Sequence, residues 1–211
     1  MSDSKIEMSP SDYQRLLTFF KLSGELKKQI RTGWLVKAKI DQPESVADHV
    51  FRTALIAMII GPLKKLDLCK LLEMAILHDL DEVLTGDLLP EEKNNDNSNL
   101  FNDNLLTFLP SFLEQRYSEL YHEIKNETSP ESKLLKQIDR FEMALQAKEY
   151  SEFSNNDPSL IELYDSVKKE INDELLIELL KSRLIPILCE IFQICLLFCN
   201  HELQINPLKL V

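Results

Sequence analysis

The segment AILHDLDEVLTGDL, residues 75–88, begins as an apolar helical pattern and then gathers one imidazole and four carboxylates within about three turns of chain. These side chains belong to His78, Asp79, Asp81, Glu82 and Asp87. Like charges at helical spacing repel one another, so the crowding adds nothing to helix stability. A divalent cation held among these groups would reverse the repulsion, and the rest of the sequence offers further ligands for one.

The composition predicts a helical protein whose main part is one domain. Its 211 residues include only four glycines, and 44% of them are hydrophobic, which favours helices and a substantial core. The net charge of −11 argues against a protein that coats nucleic acid, because phosphate neutralisation needs a basic surface. A small anionic substrate needs only a local positive site, and basic residues do concentrate between positions 21 and 39. They are Lys21, Lys27, Lys28, Arg31, Lys37 and Lys39.

The cysteines indicate neither a metal finger nor a redox pair. Cys69, Cys189, Cys195 and Cys199 show no CxxC spacing. The polar N-terminus shows no secretory signal. We therefore expect a reduced, intracellular protein of the cytoplasm.

Apolar periodicity predicts an all-α fold, with no β-rich alternation along the chain. The predicted helices cover residues 11–30, 46–60, 68–84, 112–125, 130–150, 159–173 and 173–199. Ser45 and Asp48 predict a capping box at the start of the second of these helices. Gly61 and Pro62 are expected to end that helix, and Gly86 is a candidate C-cap just beyond the third.

Three parts are predicted along the chain: a flexible N-terminus at residues 1–10, a helical domain at 11–173 and a C-terminal helical extension at 174–211. Within the domain, the Asn-rich residues 92–104 predict a mobile loop beside the acidic segment. The most apolar stretch, residues 184–199, is interrupted by a proline, a glutamate and a glutamine. It is shorter than the roughly 20 apolar residues of a membrane span, so we expect a buried helix or an oligomer interface rather than a membrane segment.

Four residues on three predicted helices offer ligands to one metal ion. His49 lies in the first turn after the Ser45 cap, and His78 and Asp79 are adjacent near the end of the next helix. Asp139 flanks an apolar stripe of a later helix, where a partly desolvated carboxylate needs a partner or a metal. Two imidazoles and two carboxylates suit a divalent transition metal and leave positions open for water and substrate.

Two further acids are candidates for catalysis. Glu82 follows His78 by four residues, which puts both side chains on one face of a continuous helix. Asp87 follows Gly86 and can fold back toward the same place. Acidic runs are usually solvated, and we expect Asp81 to be a solvated neighbour without a role in the chemistry.

These residues match the H…HD…D pattern of the HD-domain metal-dependent phosphohydrolases. Three longer motifs narrow the resemblance: PESVADH at residues 43–49, HDLDEVLTGD at 78–87 and KQIDRFEMALQA at 136–147. With these motifs, residues 12–169 resemble the HD-domain 5'-deoxynucleotidases of the HD domain-containing protein 2 family. The resemblance implies a helical domain, usually a homodimer, with one divalent metal ion per active site.

The resemblance also implies an activity, the hydrolysis of deoxyribonucleoside 5'-monophosphates to deoxynucleoside and phosphate. The implied metal is one of Co, Mn, Mg, Zn, Fe and Ni. By position in the motifs, the implied metal ligands are His49, His78, Asp79 and Asp139, and the implied catalytic acids are Glu82 and Asp87.

Arg31 and Trp34 match the family's substrate-contacting arginine and tryptophan. Bacterial members have these two residues adjacent, whereas Thr32 and Gly33 separate them here, as in the eukaryotic branch. Arg31 would bind the phosphate through two hydrogen bonds. Trp34 either presses on the sugar and disfavours a 2'-hydroxyl, or simply anchors the first helix.

Two other functions stay open at this point. The same fold could hydrolyse a triphosphate, a cyclic dinucleotide or an alarmone, although longer phosphate chains need more basic residues than Arg31 and the nearby lysines. A non-catalytic nucleotide-binding module is the second alternative, and the filled ligand and acid positions argue against it.

Overall fold

All regular elements of the described residues are helices. The computed structural model describes residues 8–89, 92, 105–153 and 157–182. We number the α-helices of these ranges α1 to α9, and short 3₁₀ helices lie at Gly24–Lys27 and Leu106–Phe108. The bounds are α1 Pro10–Ser23, α2 Thr32–Val36, α3 Val46–Leu63, α4 Leu68–Leu77, α5 Glu82–Thr85, α6 Ser111–Asn126, α7 Pro130–Phe153, α8 Pro158–Glu170 and α9 Glu174–Lys181. The all-α prediction is confirmed for this part of the chain.

Several sequence predictions concern residues outside the described ranges. These predictions concern residues 1–7 at the N-terminus, residues 93–104 of the Asn-rich stretch and the apolar run at residues 184–199. The chain divides into two compact units, residues 1–177 and 178–211. In the second unit the described residues are 178–182, at the end of α9. The site lies wholly in the first unit.

Side-chain caps start the helices that bring the site together. Ser45 Oγ accepts a hydrogen bond from Asp48 N at 3.1 Å, and Asp48 Oδ2 accepts one from Ser45 N at 2.9 Å. This is the predicted capping box of α3. A second box between Ser9 and Asp12 starts α1 at Pro10.

The end of α3 differs from the prediction. The helix continues through Gly61 and Pro62 to Leu63, because a proline in the last turn removes only one hydrogen bond before the helix stops. Gly61 has a packing role instead: a Cβ added there would lie 2.9 Å from Leu71 Cδ2 of α4. The glycine therefore permits the close approach of α3 and α4 rather than ending a helix.

The predicted helix at residues 68–84 is broken into two. α4 ends at Leu77, and residues 78–81 form turns in which amides bond three residues back, such as Glu82 N to Asp79 O at 3.2 Å. α5 is a single turn that ends at Thr85, and Gly86 follows it with a φ of 75°, in the left-handed region. Gly86 is thus confirmed as a C-cap.

The long helix α7 lies at the centre of the packing. It contacts α3, α4, α6 and α8, and the side chains of Leu135, Ile138, Ala144 and Ala147 are buried on it. This places its polar residues opposite the start of α3 and the end of α4. Within the described ranges, α3 has the length and mean hydropathy, 1.4, that a membrane span would need. One face of α3 packs on α4 and α7, and 33% of the helix is buried.

Candidate metal centre

The four ligands predicted from sequence meet at one point. His49 Nε2 lies 3.3 Å from His78 Nε2, 3.2 Å from Asp139 Oδ1 and 3.6 Å from Asp79 Oδ2. His78 Nε2 is 3.4 Å from the same oxygen of Asp79. Three helical regions, the first turn of α3, the end of α4 and the middle of α7, thus direct nitrogen and oxygen donors to a common centre.

The spacing of these donors fits a first-row metal ion. Imidazole nitrogens and carboxylate oxygens bind such ions at about 2.0–2.2 Å. Neighbouring ligands at tetrahedral or octahedral angles are then about 3.0–3.6 Å apart, and the four distances fall in this range. The donor set of two imidazoles and two carboxylates is the type that divalent transition metals prefer.

In both imidazoles the Nδ1 atom, which is not the one that faces the other ligands, already has a hydrogen-bond partner. His78 Nδ1 donates to Ala75 O at 2.8 Å, and a carbonyl oxygen can only accept, so this nitrogen carries the proton. His49 Nδ1 lies 2.5 Å from Glu142 Oε2. When each ring carries a single proton, at Nδ1, both Nε2 atoms present lone pairs to the same point, where a divalent cation would satisfy both.

The charges of the site likewise favour a cation. Burial and the positive charge of Arg31 lower the pKa of His49, but its contacts with Asp139 and Glu142 outweigh them and raise that pKa to about 10. Burial raises the pKa of Asp139, yet His49 and the other positive groups hold it well below its ordinary value. The carboxylates of the centre are therefore ionised and attract positive charge.

Arg31 stands beside the centre. Its Nη1 lies 3.3 Å from Asp79 Oδ2 and 3.6 Å from Asp87 Oδ1. An isolated backbone bridge between Ile30 and Ser45 joins its segment to the start of α3 and so fixes its distance from the metal ligands. Burial lowers the pKa of Arg31, but Asp79 and Asp87 reverse this and raise the pKa above its ordinary value.

Asp87 folds back toward the centre, as the sequence predicted. Gly86 makes this reversal possible, because its φ of 75° is unfavourable for other residues. Asp87 Oδ2 accepts a short hydrogen bond from Thr32 N at the start of α2. The carboxylate therefore ties the arginine-bearing segment to the acidic one.

Glu82 is buried, with 3% of its surface exposed. We expected it to face the metal because it follows His78 by one helical turn, and that reason is wrong because the chain is not helical between the two residues. Its position as the first residue of α5 still brings its charge close enough to raise the pKa of Arg31. Glu82 thus belongs to the electrostatic surroundings of the centre.

Asp81 is not the solvated neighbour that the sequence predicted. Its side chain is 14% exposed, and its Oδ2 accepts hydrogen bonds from Tyr121 Oη at 2.6 Å and from Lys125 Nζ at 3.4 Å. Lys125 also lies 4.8 Å from the centre of the Tyr121 ring. Asp81 therefore attaches the turn that carries His78 to α6.

Trp34 is a buried residue that anchors α2. It is 2% exposed, its Nε1 donates to Glu44 Oε1 at 2.9 Å, and its ring meets Tyr150 edge-on at 5.3 Å. It packs with Ala147 and Leu160 in a small apolar cluster. These contacts anchor α2 to α7 and α8, and not the first helix that the sequence suggested. The role toward substrate stays a prediction.

Sequence reasoning missed the residues behind His49. Glu142 is fully buried, and Arg52 binds its other carboxylate oxygen. Burial and Glu142 raise the pKa of Glu44 to about 7. The signal for Glu142 was present in the sequence, because it follows Asp139 by three residues and so lies on the same helix face.

A second group of possible ligands comprises Glu44, His49 and Glu142, whose donor atoms lie within 4.8 Å of one another. This group uses the Nδ1 side of His49. Glu142 is committed there to both His49 and Arg52. The group of His49, His78 and Asp79, joined by Asp139, is therefore the better metal centre.

A cavity of about 600 Å³ opens onto the centre. His78, Asp79, Asp87 and Asp139 line its inner end. The rest of the wall combines basic and apolar side chains with two acids, Glu127 and Glu170, and two serines, Ser132 and Ser166. The basic ones are Arg31, Lys37, Lys125, Lys136 and Arg140, and the apolar ones include Trp34, Leu135, Met143, Leu163 and Val167. This size and mixture suit a small molecule with an anionic group and an apolar portion.

Comparisons with known proteins agree with this geometry. A family model described as HD domain matches residues 23–178. The 5'-deoxynucleotidase HDDC2 of Homo sapiens is 33% identical over 187 residues, 86% of this chain and 90% of the relative. The 5'-deoxynucleotidase hdd1 of Schizosaccharomyces pombe is 32% identical over 155 residues, 69% and 77% of the two chains. The crystal structure of the PH0347 protein from Pyrococcus horikoshii has a TM-score of 0.65 at 31% identity, covering 79% of this chain and 96% of that one.

Proposed function

This chain belongs to the HD domain family, and from that premise we propose that it is a metal-dependent 5'-deoxynucleotidase. It hydrolyses deoxyribonucleoside 5'-monophosphates to the deoxynucleoside and inorganic phosphate. The observation that carries the proposal is the convergence of His49 Nε2 and His78 Nε2 with the carboxylates of Asp79 and Asp139. The substrate class follows from the 5'-deoxynucleotidase relatives that share most of the chain.

The metal would be held by His49, His78, Asp79 and Asp139. When bound, a divalent ion supplies charge that polarises a phosphoryl oxygen and lowers the pKa of water. The fixed Nδ1 contacts of both histidines keep their Nε2 atoms directed at the ion.

Arg31 binds the phosphate of the substrate. Its guanidinium is held at the inner end of the cavity by Asp79 and Asp87, at 3.3 and 3.6 Å. A guanidinium in this position keeps its charge and presents several donors in one plane to phosphate oxygens. Because Asp87 contacts both Arg31 and Thr32 N, it orients the arginine.

Glu82 accepts the proton of the attacking water. Glu82 is 3% exposed, and its charge acts on Arg31 beside the centre. Both oxygens of Asp87 contact the arginine-bearing segment, which suits Asp87 to a positioning role. A general base held in a partly dehydrated site contributes roughly 10²–10⁴-fold to a rate. Asp87 positions Arg31 and the 5'-oxygen of the leaving deoxynucleoside.

The cavity has room for the nucleoside. Its volume of about 600 Å³ falls within the roughly 300–1,000 Å³ of small-molecule sites. Trp34 borders it with a ring fixed by Glu44 and Tyr150. In this proposal the ring lies beside the sugar and disfavours the larger ribose.

The active enzyme is a homodimer in this proposal. Its support is the outer face of α3, where large apolar side chains are exposed in the described structure. They are Phe51, Leu55, Met58, Ile59 and Leu63, with exposed fractions of 43–71%. Apolar patches of this kind mark interaction surfaces.

The experiment that tests the function is a phosphate-release assay over a panel of deoxyribo- and ribonucleoside 5'-monophosphates, with Co²⁺, Mn²⁺, Mg²⁺ or Zn²⁺ added. We expect release from the deoxy substrates, loss of release with a chelator and recovery when metal is restored. Absence of release from every monophosphate with every metal would contradict the proposal, and release from triphosphates alone would redirect it.

Glu82→Gln tests the assigned base. The variant keeps the size of the side chain, so we expect metal content to be retained and kcat to fall by roughly 10²–10⁴-fold. Glu73→Gln is the matched control, because Glu73 pairs with Arg116 on the surface. Unchanged kcat in Glu82→Gln would remove Glu82 from the mechanism.

A further inference from the structure

A buried carboxylate lies behind His49, on the side of the ring that faces away from the other metal ligands. Glu142 Oε2 is 2.5 Å from His49 Nδ1, and both residues are 0% exposed. Neither His49 nor Glu142 lines the substrate cavity. The contact therefore acts on the ligand and not on the substrate.

Arg52 holds Glu142 from the opposite side. Its Nε and Nη2 lie 2.8 and 2.7 Å from Glu142 Oε1. The same guanidinium binds Glu149 Oε2 at 2.6 Å and the side-chain oxygen of Gln146. A planar arginine with several fixed acceptors on one helix cannot turn without breaking several bonds, so Glu142 is locked in the orientation that serves His49.

We propose that Glu142 and Arg52 are positioning residues of the metal centre. Glu142 keeps the proton of His49 at Nδ1, which leaves Nε2 as the donor atom for the metal. Arg52 fixes Glu142 so that this proton has one acceptor. The inference rests on the metal centre of the proposed function and adds two residues that touch neither metal nor substrate.

The two histidine ligands show why an arginine is needed behind only one of them. His78 Nδ1 donates to Ala75 O, a carbonyl that the backbone of α4 already fixes. His49 Nδ1 contacts a flexible side chain instead. A side-chain acceptor orients an imidazole only when it is itself held, and Arg52 supplies that second contact.

Glu142→Gln tests the proposal because the native carboxylate uses both oxygens, Oε2 for His49 and Oε1 for Arg52. The amide of glutamine has only one acceptor oxygen, so one partner must lose its bond. We expect the affinity for Zn²⁺ or Co²⁺, measured by chelator competition on the full chain, to fall roughly 10–100-fold.

Glu73→Gln is the matched control. Glu73 lies on α4 and accepts hydrogen bonds from Arg116 Nε at 3.2 Å and Nη2 at 2.6 Å. Within the described residues, its carboxylate makes no hydrogen bond or ion pair with a metal ligand. Its substitution removes a carboxylate from an arginine pair without touching a histidine. We expect the metal affinity of this variant to equal that of the wild type.

Arg52→Lys separates the two positioning residues. A lysine keeps the charge but lacks the planar set of donors of a guanidinium, so it holds the Glu142 carboxylate in a less fixed orientation. We expect a fall in metal affinity smaller than that of Glu142→Gln, and no change in Arg116→Lys. Equal affinities in Arg52→Lys and wild type would remove Arg52 from the proposal.

Imidazole nitrogen NMR of the wild-type protein loaded with Zn²⁺ reads the tautomer directly, and the chain has only four histidines to assign. The expected spectrum shows His49 with the proton at Nδ1 and the metal at Nε2. Metal at Nδ1 of His49 would overturn the proposal, even if Glu142→Gln did not fold.

The outcomes distinguish this inference from the proposed function. If the wild type binds no divalent metal, the proposed function fails and this inference with it. If the wild type and Glu142→Gln bind metal equally well, the positioning role alone is overturned and the phosphohydrolase proposal stands.

Discussion

Two regions supply the acidic groups of the metal centre in opposite ways. The helix α7 is an unbroken run of 24 residues, and it presents Asp139 and Glu142 from one face. Residues 78–87 consist of a helix end, a set of turns, the single turn of α5 and a glycine with positive φ. This broken segment supplies His78, Asp79, Glu82 and Asp87.

The difference follows from helix geometry. Residues three or four apart on a helix share a face, whereas adjacent residues point about 100° apart. An unbroken helix can therefore give the centre Asp139 and, behind it, Glu142. Adjacent residues such as His78 and Asp79 reach one ion because the helix stops at Leu77 and the chain turns.

The largest expected effect, on metal binding, comes from removing one ligand from each of the two regions, residues 78–87 and α7. We expect His78→Ala and Asp139→Ala each to weaken metal binding by more than the roughly 10–100-fold that loss of an outer partner costs. Metal content after dialysis and chelator competition measure this effect. Stoichiometric metal in either purified variant would show that its region supplies no ligand.

A smaller effect is expected from Gly86→Ala, which strains the broken segment alone. The φ of 75° and ψ of 169° at Gly86 lie in a region that costs other residues about 1–3 kcal/mol. A Cβ there meets nothing within 4 Å, so the cost is one of backbone conformation. We expect the free energy of unfolding to fall by that amount and kcat to fall with the displacement of Asp87.

Gly24→Ala is the control for this variant. Gly24 has an ordinary φ of −65°, and a Cβ added there would also meet nothing within 4 Å. We expect an unchanged or slightly raised stability, by up to about 1 kcal/mol. Equal stability changes in the two alanine variants, measured by denaturant unfolding, would show that the broken segment does not depend on the conformation of Gly86.

The smallest expected effect concerns the attachment of the broken segment to α6. Asp81→Asn keeps an acceptor for the Tyr121 hydroxyl but removes the negative charge that Lys125 faces. We expect a loss of about 1 kcal/mol, the difference between a charged and a neutral hydrogen bond. Denaturant unfolding of the metal-free protein measures it. If Asp81 were solvated, as the sequence suggested, the substitution would leave stability unchanged.

The helices with regular patterns were predictable, and the irregular segment was not. The capping box of Ser45 and Asp48 placed the start of α3 correctly, because such caps are local interactions. The break after Leu77 was missed because residues 78–84 continue an apolar helical pattern. The packing role of Gly61 was not predicted either, because it depends on the close approach of Leu71 from α4.

In the site as well, residues in a recognisable motif were predicted, and residues whose role depends on long-range packing were not. His49, His78, Asp79 and Asp139 were recognised from their residue types and the H…HD…D pattern, and the structure brings them together. Glu142 and Arg52 were not recognised. An acid and an arginine on helices are usually surface residues, and only the packing of α3 against α7 shows that they lie behind a ligand.

The sequence by itself determined the helical class, the candidate metal ligands and the family of the chain, because these depend on residue types and local spacing. The tertiary structure alone decided that the helix breaks beside His78, that Asp81 binds α6 and that Glu142 orients His49. Contacts between residues 40 and 93 positions apart create the last two of these features, and no local pattern in the chain predicted them.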